Sequence, residues 1–414
     1  MNWPELNMAM RTIPFLESLV DSPDGFTEVT GGPDPRLLVW HPDMIDWIFR
    51  NDGRMRHPGG RSLIPLFGTL SPLWAEGPRH AAYRRVLGPS LRGPTLRSVS
   101  GIVADAVDGA IDGLAPGAVI ELLAWTRGIT LRVIARILLG RYDDALLADV
   151  TAWIEKAFGA THRTLAYRYL RGGLPKPGAE LDSSLVRTAK ASTDLRPPTI
   201  AARLLSADWP LGRIGDDELR DAVISMLFAG HDTTASAVAW TLFWLDRNPA
   251  VRHELAAELA ATGADGSDAA RAPLLQATVL ESLRLTPPAT LAEHRLLTED
   301  ETVAGRTFAA GTILTPAIYV AHHHPDRFPN PHRFDPNRFL GNHPVPAHFF
   351  PFGGSVRHCL GSQLAQMEIR MITAALLRRR AWVCVIPRLG VTRMRGNVMA
   401  PARGLRLRVL ACRD

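Results

Sequence analysis

A cysteine stands in the run Pro351-Phe352-Gly353-Gly354-Ser355-Val356-Arg357-His358-Cys359-Leu360-Gly361. Glycines precede it, a cation lies two places before it and a glycine two places after. A thiolate that binds a metal needs such a setting. Glycines let a flat ligand approach the backbone. The start of a following helix supplies N–H groups and positive potential that keep the sulfur ionised. The other cysteines, Cys384 and Cys412, do not lie at the spacing of a structural zinc site. A haem, which brings its own equatorial ligands and needs one axial sulfur, fits better. The plain alternative is a buried free cysteine in a glycine-rich turn.

Other stretches carry polar groups in unusual places. Ala229-Gly230-His231-Asp232-Thr233-Thr234 interrupts an apolar run that reads as one long helix over 216–245. Polar residues and a glycine inside such a helix cost stability, which points to a task there. Gly230 leaves room for a flat ligand and dioxygen, and the Thr233 hydroxyl can bond a carbonyl of the preceding turn. A kinked core helix would show the same residues. His80 and Arg84 share one face of a helix opened by Glu76-Gly77-Pro78, as do Glu281 and Arg284 further on. Taken alone, each pair reads as surface charge. His322, His323 and His324 look like metal ligands, but their loop context favours an exposed turn.

These residues must be positioned by a chain of 414 residues with no long linker, repeat or low-complexity tract, read here as one large unit in two lobes. Its net charge is +6, and all but three of its 47 basic residues are arginine. That describes either a solvated basic surface or attraction to an acidic protein partner. Basic and aromatic residues are not combined as a nucleic-acid site requires. Three cysteines are too few for a disulfide framework and fit a reducing cytoplasm. Residues 1–20 contain neither a bilayer-spanning run nor a signal pattern, so a soluble protein without a membrane anchor is expected. Strands at 28–30 and 37–40 flank a turn at 31–35, and Pro42 opens a helix through Phe49. Residues 55–75 are loop-like yet apolar, carrying Leu63, Ile64, Leu66 and Phe67. They either pack on the body or form a flexible wall of an apolar pocket. Residues 100–140 read as two helices, with 120–139 apolar nearly all round and therefore buried. Arg163, Arg168, Arg171, Gly172 and Gly173 suggest helices joined by a mobile segment. Short strands are expected near 302–303, 313–314 and within 382–410.

The cysteine run resembles the haem-binding loop of the cytochrome P450 family, Phe-Gly-x-Gly-x-Arg/His-x-Cys-x-Gly. It matches at Phe352, Gly353, Arg357, Cys359 and Gly361 and departs at Ser355, where the family usually has glycine and a slightly different turn is expected. The resemblance implies a mainly α fold with small β-sheets, a triangular helical body with haem between the long central helix and the cysteine-loop helix. It implies a single haem domain over 1–414, with a β-containing lobe mainly at 26–54 and 290–320 with 382–410. Cys359 would ligate the iron of haem b, with Phe352, Gly361, Ala229 and Gly230 around the cofactor. His80, Arg84, Arg295 and Arg357 would neutralise the propionates. Asp232 and Thr233 take the positions of the family's acid–alcohol pair for proton delivery. Glu281, Arg284 and Arg338 would form a buried structural network. Leu63, Ile64, Leu66, Phe67, Phe228, Ala229, Thr290, Leu291 and Met399 would line the substrate pocket.

The implied activity is insertion of one oxygen atom from O2 into an apolar small molecule, in secondary metabolism of terpenoid, polyketide or fatty-acyl type. No flavin or nicotinamide fingerprint follows, so electrons would come from a ferredoxin and its reductase, docking on Arg79, Arg85, His358 and Arg370 of a monomer. Competing readings are another oxidation on the same fold (ring closure, coupling or peroxide-driven) and a non-enzymatic haem sensor.

Overall fold

The structure, a computed structural model, describes residues 3–30, 35–59, 63–171, 173–206, 213–261 and 272–412. Residues 31–34 of the expected turn and Gly172 lie outside the described residues. The helices are α1 (Trp3–Met10), α2 (Thr12–Glu17), α3 (Pro42–Asn51), α4 (Ile64–Phe67), α5 (Gly77–Leu87), α6 (Thr95–Asp112), α7 (Leu122–Leu139) and α8 (Asp144–Phe158). They continue as α9 (Thr161–Leu170), α10 (Ala179–Lys190), α11 (Ile200–Ser206), α12 (Asp216–Arg247), α13 (Pro249–Ala261), α14 (Pro273–Leu285), α15 (Ile318–His323) and α16 (Ser362–Arg379).

The strands are few and short. Strands β1 (Phe26–Thr30), β2 (Arg36–Val39), β4 (Arg295–Leu296) and β7 (Ile313–Pro316) form one sheet in the order β1-β2-β7-β4, in which β2 and β7 run parallel. A second sheet joins β3 (Val119–Glu121), β11 (Arg406–Cys412) and β8 (Arg380–Cys384) in that order, and β5 (Glu301–Val303) pairs with β6 (Arg306–Phe308). Strands β9 (Thr392–Arg395) and β10 (Val398–Pro401) make the last hairpin. The larger core surrounds α12; a smaller one lies under the first sheet, around Leu38, Ile45 and Leu314.

Helix α12 is the axis of the molecule. Asp216, Asp217 and Glu218 in its first turn complement the helix dipole. Asn248 before Pro249 leaves the helical region and ends it. Burial runs along most of its length, Trp240 completely. Helix α7 packs along it. The apolar run begins one element later than expected: residues 119–121 are strand, and the Glu121 carboxylate accepts the Ala124 N–H at 2.5 Å to cap α7.

A buried ionic knot ties α14 to the chain that leads to the cysteine. Arg284 donates from Nε and a terminal nitrogen to the two oxygens of Glu281, at 2.7 and 2.8 Å. Both side chains are 0% exposed. The same guanidinium donates to the carbonyls of His322 (2.9 Å) and Arg333 (3.2 Å). Glu281 also accepts the Asp335 N–H at 2.9 Å and lies 3.4 Å from Arg338. The histidine run departs from the expected exposed turn. His322 and His323 end α15 and are buried, because α15 packs on α14 beside Arg284. His322 Nε2 accepts the Phe350 N–H at 3.0 Å, so its ring spaces the cysteine loop rather than binding a metal.

Removing one partner leaves a buried charge unpaired. Glu281→Ala should therefore lose about 3–5 kcal/mol of stability in a denaturant titration. Arg284→Lys should not restore it, since one ammonium cannot serve two carboxylate oxygens and two carbonyls. A loss below about 1 kcal/mol would contradict this role.

Candidate active site

A cavity of about 490 Å³ lies between α12, α5, the 288–295 segment, the cysteine loop and the start of α16. Its walls include Ala229, Gly230 and Thr233 from α12, His80 and Arg84 from α5, and Leu291, Glu293 and Arg295. Phe352, Arg357, Cys359 and Gly361 complete it, so the expected cofactor residues meet in one place.

The cysteine loop is closed by its own backbone. The Cys359 N–H donates to the Phe352 carbonyl at 2.9 Å, and the His358 N–H to Ser355 at 3.1 Å. Gly353 has φ 66° and Ser355 has φ 56°. The turn at Ser355 is thus left-handed, a region that glycine enters more readily than serine. Serine holds it at a cost of about 1 kcal/mol. Gly354 is needed for space: a Cβ there would lie 2.6 Å from the Phe49 ring. Cys359 is exposed to the open cavity, and the protein enclosing it on its other sides raises the thiol pKa, against smaller opposing effects of the Gly361 N–H and Arg84. A metal is the partner that would take this sulfur as thiolate. Among the described residues no group of His, Cys, Asp and Glu could hold a metal ion unaided. One sulfur donor, flanking arginines and a glycine-lined wall fit a haem with a single protein ligand on that side.

The charges around the cavity are largely compensated. Arg295 is 0% exposed and donates to both oxygens of Asp52, at 3.0 and 3.2 Å, and to the Gly354 carbonyl at 3.3 Å. His57 Nε2 lies 2.8 Å from the same carboxylate. Burial would raise the Asp52 pKa, but hydrogen bonds from His57 and Arg295 outweigh it and bring it to about 2. Arg357 donates to the Ala75 carbonyl at 2.8 Å and sits 3.9 Å from Glu293, whose pKa burial raises. Arg84 donates to the His358 carbonyl at 2.8 Å. Burial first, then the Arg357 and Arg84 charges, drive His80 down to about 4, so at neutral pH it offers an N–H rather than a charge.

Asp232 and Thr233 point to different places. The Thr233 hydroxyl donates to the Ala229 carbonyl at 2.9 Å and lines the cavity. Asp232 is 1% exposed and faces α7, where Arg127 Nε donates to it at 2.5 Å and Arg395 lies 3.9 Å away. Neighbours on a helix are about 100° apart, and here that rotation carries Asp232 to the α7 side while Thr233 stays on the cavity wall. Burial would raise the Asp232 pKa; the Arg127 charge overcomes this and holds it below the ordinary value. Gly230 faces the cavity, yet a Cβ there would meet Ile134 of α7 at 2.8 Å, so helix packing also demands glycine.

Of the expected pocket residues, Ala229 and Leu291 line this cavity. Leu63, Ile64, Leu66, Phe67, Phe228, Thr290 and Met399 do not. Phe67 instead packs on Phe228, with ring centroids 4.9 Å apart, and Leu66 is fully buried beside it in the core. Thr290 and Met399 are buried, and the Met399 carbonyl accepts the Ser236 hydroxyl at 2.6 Å. Pro72, Leu73, Met226 and Ala289 take their places. On the expected docking face, Arg79 is spent on Glu218 at 2.5 Å and Arg370 is half-buried, while Arg85 and His358 are exposed. Residues that sequence reasoning missed are Asp52, His57, Glu293, Arg127 and Glu368. Glu368 is buried on α16, lines the cavity, and has its pKa pushed well above the ordinary carboxylate range by burial. Arg127 carried no distinct local mark, since Arg132 and Arg136 lie in the same helix.

A single cysteine on an arginine-flanked cavity beside a long helix defines a haem-thiolate protein. A family model described as Cytochrome P450 matches residues 182–386. Cytochrome P450 135B1 of Mycobacterium tuberculosis is 31% identical over 94% of this chain and 85% of its own. The cyclooctat-9-en-7-ol 5-monooxygenase of Streptomyces melanosporofaciens is 29% identical over 89% and 84%. Among solved structures, the retinoic acid-bound cyanobacterial CYP120A1 superposes with a TM-score of 0.81 at 22% identity, covering 94% of this chain and 92% of that one. The chain belongs to the cytochrome P450 family. It is a P450 monooxygenase with a haem iron, O2, a small-molecule substrate and redox partners. None of the helices among the described residues is long and apolar enough to cross a membrane.

The Asp52 pair gives a pH test. A carboxyl held at about 2 instead of 3.8 contributes stability that is complete above its ordinary pKa and is lost as pH falls through about 2. The stability advantage of wild type over Asp52→Asn should shrink by about 1 kcal/mol between pH 6 and pH 3 in denaturant titrations. A difference independent of pH would contradict the ion pair.

Proposed function

We propose that this chain is a single-domain, b-type haem monooxygenase of the cytoplasm, acting as a monomer on a largely apolar small molecule in secondary metabolism. Terpenoid, polyketide and fatty-acyl compounds are the substrate classes that suit it. The carrying observation is Cys359, a lone sulfur on a cavity flanked by Arg84, Arg295 and Arg357. The apolar substrate is supported by Leu73, Met226, Ala237, Ala289 and Leu291 on the walls and by the alkenol named for the Streptomyces relative. A ferredoxin with its reductase is the proposed electron source, drawn to exposed Arg85 and His358 and to the basic net charge.

When bound, the haem supplies reductive activation of O2 at an iron made electron-rich by its thiolate. The chain supplies the rest. Cys359 would hold the haem iron through its sulfur. Arg84, Arg357 and the Arg295–Asp52 pair would hold the propionates, and neutral His80 could donate an N–H to them. Thr233 has committed its proton to the Ala229 carbonyl, so its oxygen lone pairs face the cavity and can order a water there. Asp232, held ionised by Arg127, keeps a proton acceptor on the α7 side of the same turn. Glu368, whose pKa burial pushes well above the ordinary carboxylate range, lies within the same walls.

An apolar ligand chosen because it shifts the haem spectrum, with a surrogate ferredoxin system, tests this reading. Thr233→Ala should divert electrons to hydrogen peroxide and cut oxygenated product about a hundredfold. Thr233→Ser should stay near wild type. Indifference of product yield to Thr233→Ala would remove proton delivery from the account.

A further inference from the structure

The loop after α4 is not a free flap. It is fastened to the first turns of α12 at successive points. Gly68 has φ +80°, and a Cβ there would lie 2.0 Å from the Asp221 carboxylate oxygens. The Leu70 N–H donates to Asp221 Oδ2 at 2.9 Å. Ser71 and Ser225, both 1% exposed, are joined hydroxyl to hydroxyl at 2.7 Å. Their protons can be placed by elimination. Ser225 bonds the Asp221 carbonyl at 2.6 Å, where only the hydroxyl can donate. Ser71 must then donate to Ser225, and it accepts the Leu73 N–H at 3.1 Å. Tyr83 OH closes the seam, 2.6 Å from Glu218 and 3.2 Å from the Leu70 carbonyl.

The residues immediately after this seam, Pro72 and Leu73, line the cavity. Ser225 and its neighbour Met226 do so from the helix side. We infer that Asp221 and Ser225 are positioning residues for substrate selection: they fix the height of Pro72 and Leu73 over the cavity and so set the bulk of ligand it admits. Ser71 and Ser225 each have one donor and one acceptor role filled, which holds the wall in one arrangement. Losing any link frees the backbone that carries Leu73. The inference rests on the haem-thiolate reading of the same cavity.

The test uses the haem-loaded full chain, titrated spectrally with imidazole and with 4-phenylimidazole. Both probes ligate the iron, but only the second reaches the walls. In Ser225→Ala and in Asp221→Ala, imidazole affinity should stay within about twofold of wild type. Preference for 4-phenylimidazole over imidazole should rise at least about fivefold, roughly one kcal/mol. Leu73→Ala, which removes the wall and leaves the seam, should do the same. Should Asp221→Ala not fold, Ser225→Ala alone decides, since it deletes a single hydroxyl. An unchanged or reduced preference in Ser225→Ala, with Leu73→Ala raising it, overturns the inference. Failure of imidazole to shift the wild-type spectrum would instead strike the haem reading itself.

Discussion

The hydrogen bond from the Cys359 N–H to the Phe352 carbonyl is the constraint on which the rest depends. It folds the loop back so that the sulfur faces the cavity. Everything around it serves to keep that turn in place. Gly353 and Ser355 supply left-handed backbone, and Gly354 clears the Phe49 ring. Arg84 and Arg357 anchor the loop to α5 and to Ala75. His322 catches it at Phe350, and the Glu281–Arg284 knot holds His322. The energy of that knot is spent on geometry: a buried ion pair adds little net stability over an apolar one, but it accepts only one arrangement of its partners.

Electrostatics follow the same logic. The cavity is not simply basic. Arg295 is already bonded to Asp52, and Asp52 to His57, while Glu293 lies near Arg357. A pair of propionates would therefore meet three arginines partly balanced by the ionised Asp52 carboxylate, with Glu293, its pKa raised by burial, beside Arg357 and with His80 neutral. Such a balance lets a dianionic cofactor enter without leaving the site strongly positive.

Much of this was legible in the sequence because the signals were local. The cysteine loop, the Ala229–Thr233 stretch and the His80–Arg84 pair are short motifs whose spacing fixes their own geometry. The long helix read over 216–245 announced itself by the length of its apolar run, and the structure carries it to Arg247. What stayed hidden was pairing across distance. Asp52 meets Arg295 from 243 residues away and carries no local mark. Adjacent positions 232 and 233 looked like one functional pair, yet the helix turns the first toward Arg127 and the second toward the cavity. The apolar 55–75 stretch was ambiguous for a related reason. Hydrophobicity says that a side chain is covered but not by what, so Leu66 and Phe67 went to the core while Pro72 and Leu73 took the wall. The histidines of α15 misled because a polar run in a loop-rich region looks exposed until its packing partner is known.

The central claim is a bond between the Cys359 sulfur and a haem iron. The most direct measurement is the absorption spectrum of the reduced carbonyl adduct of the haem-loaded protein. A Soret band displaced far to the red, as electron donation from a thiolate requires, is the predicted result. A band at the position given by imidazole ligation, or the red-displaced band persisting in Cys359→His, would contradict it.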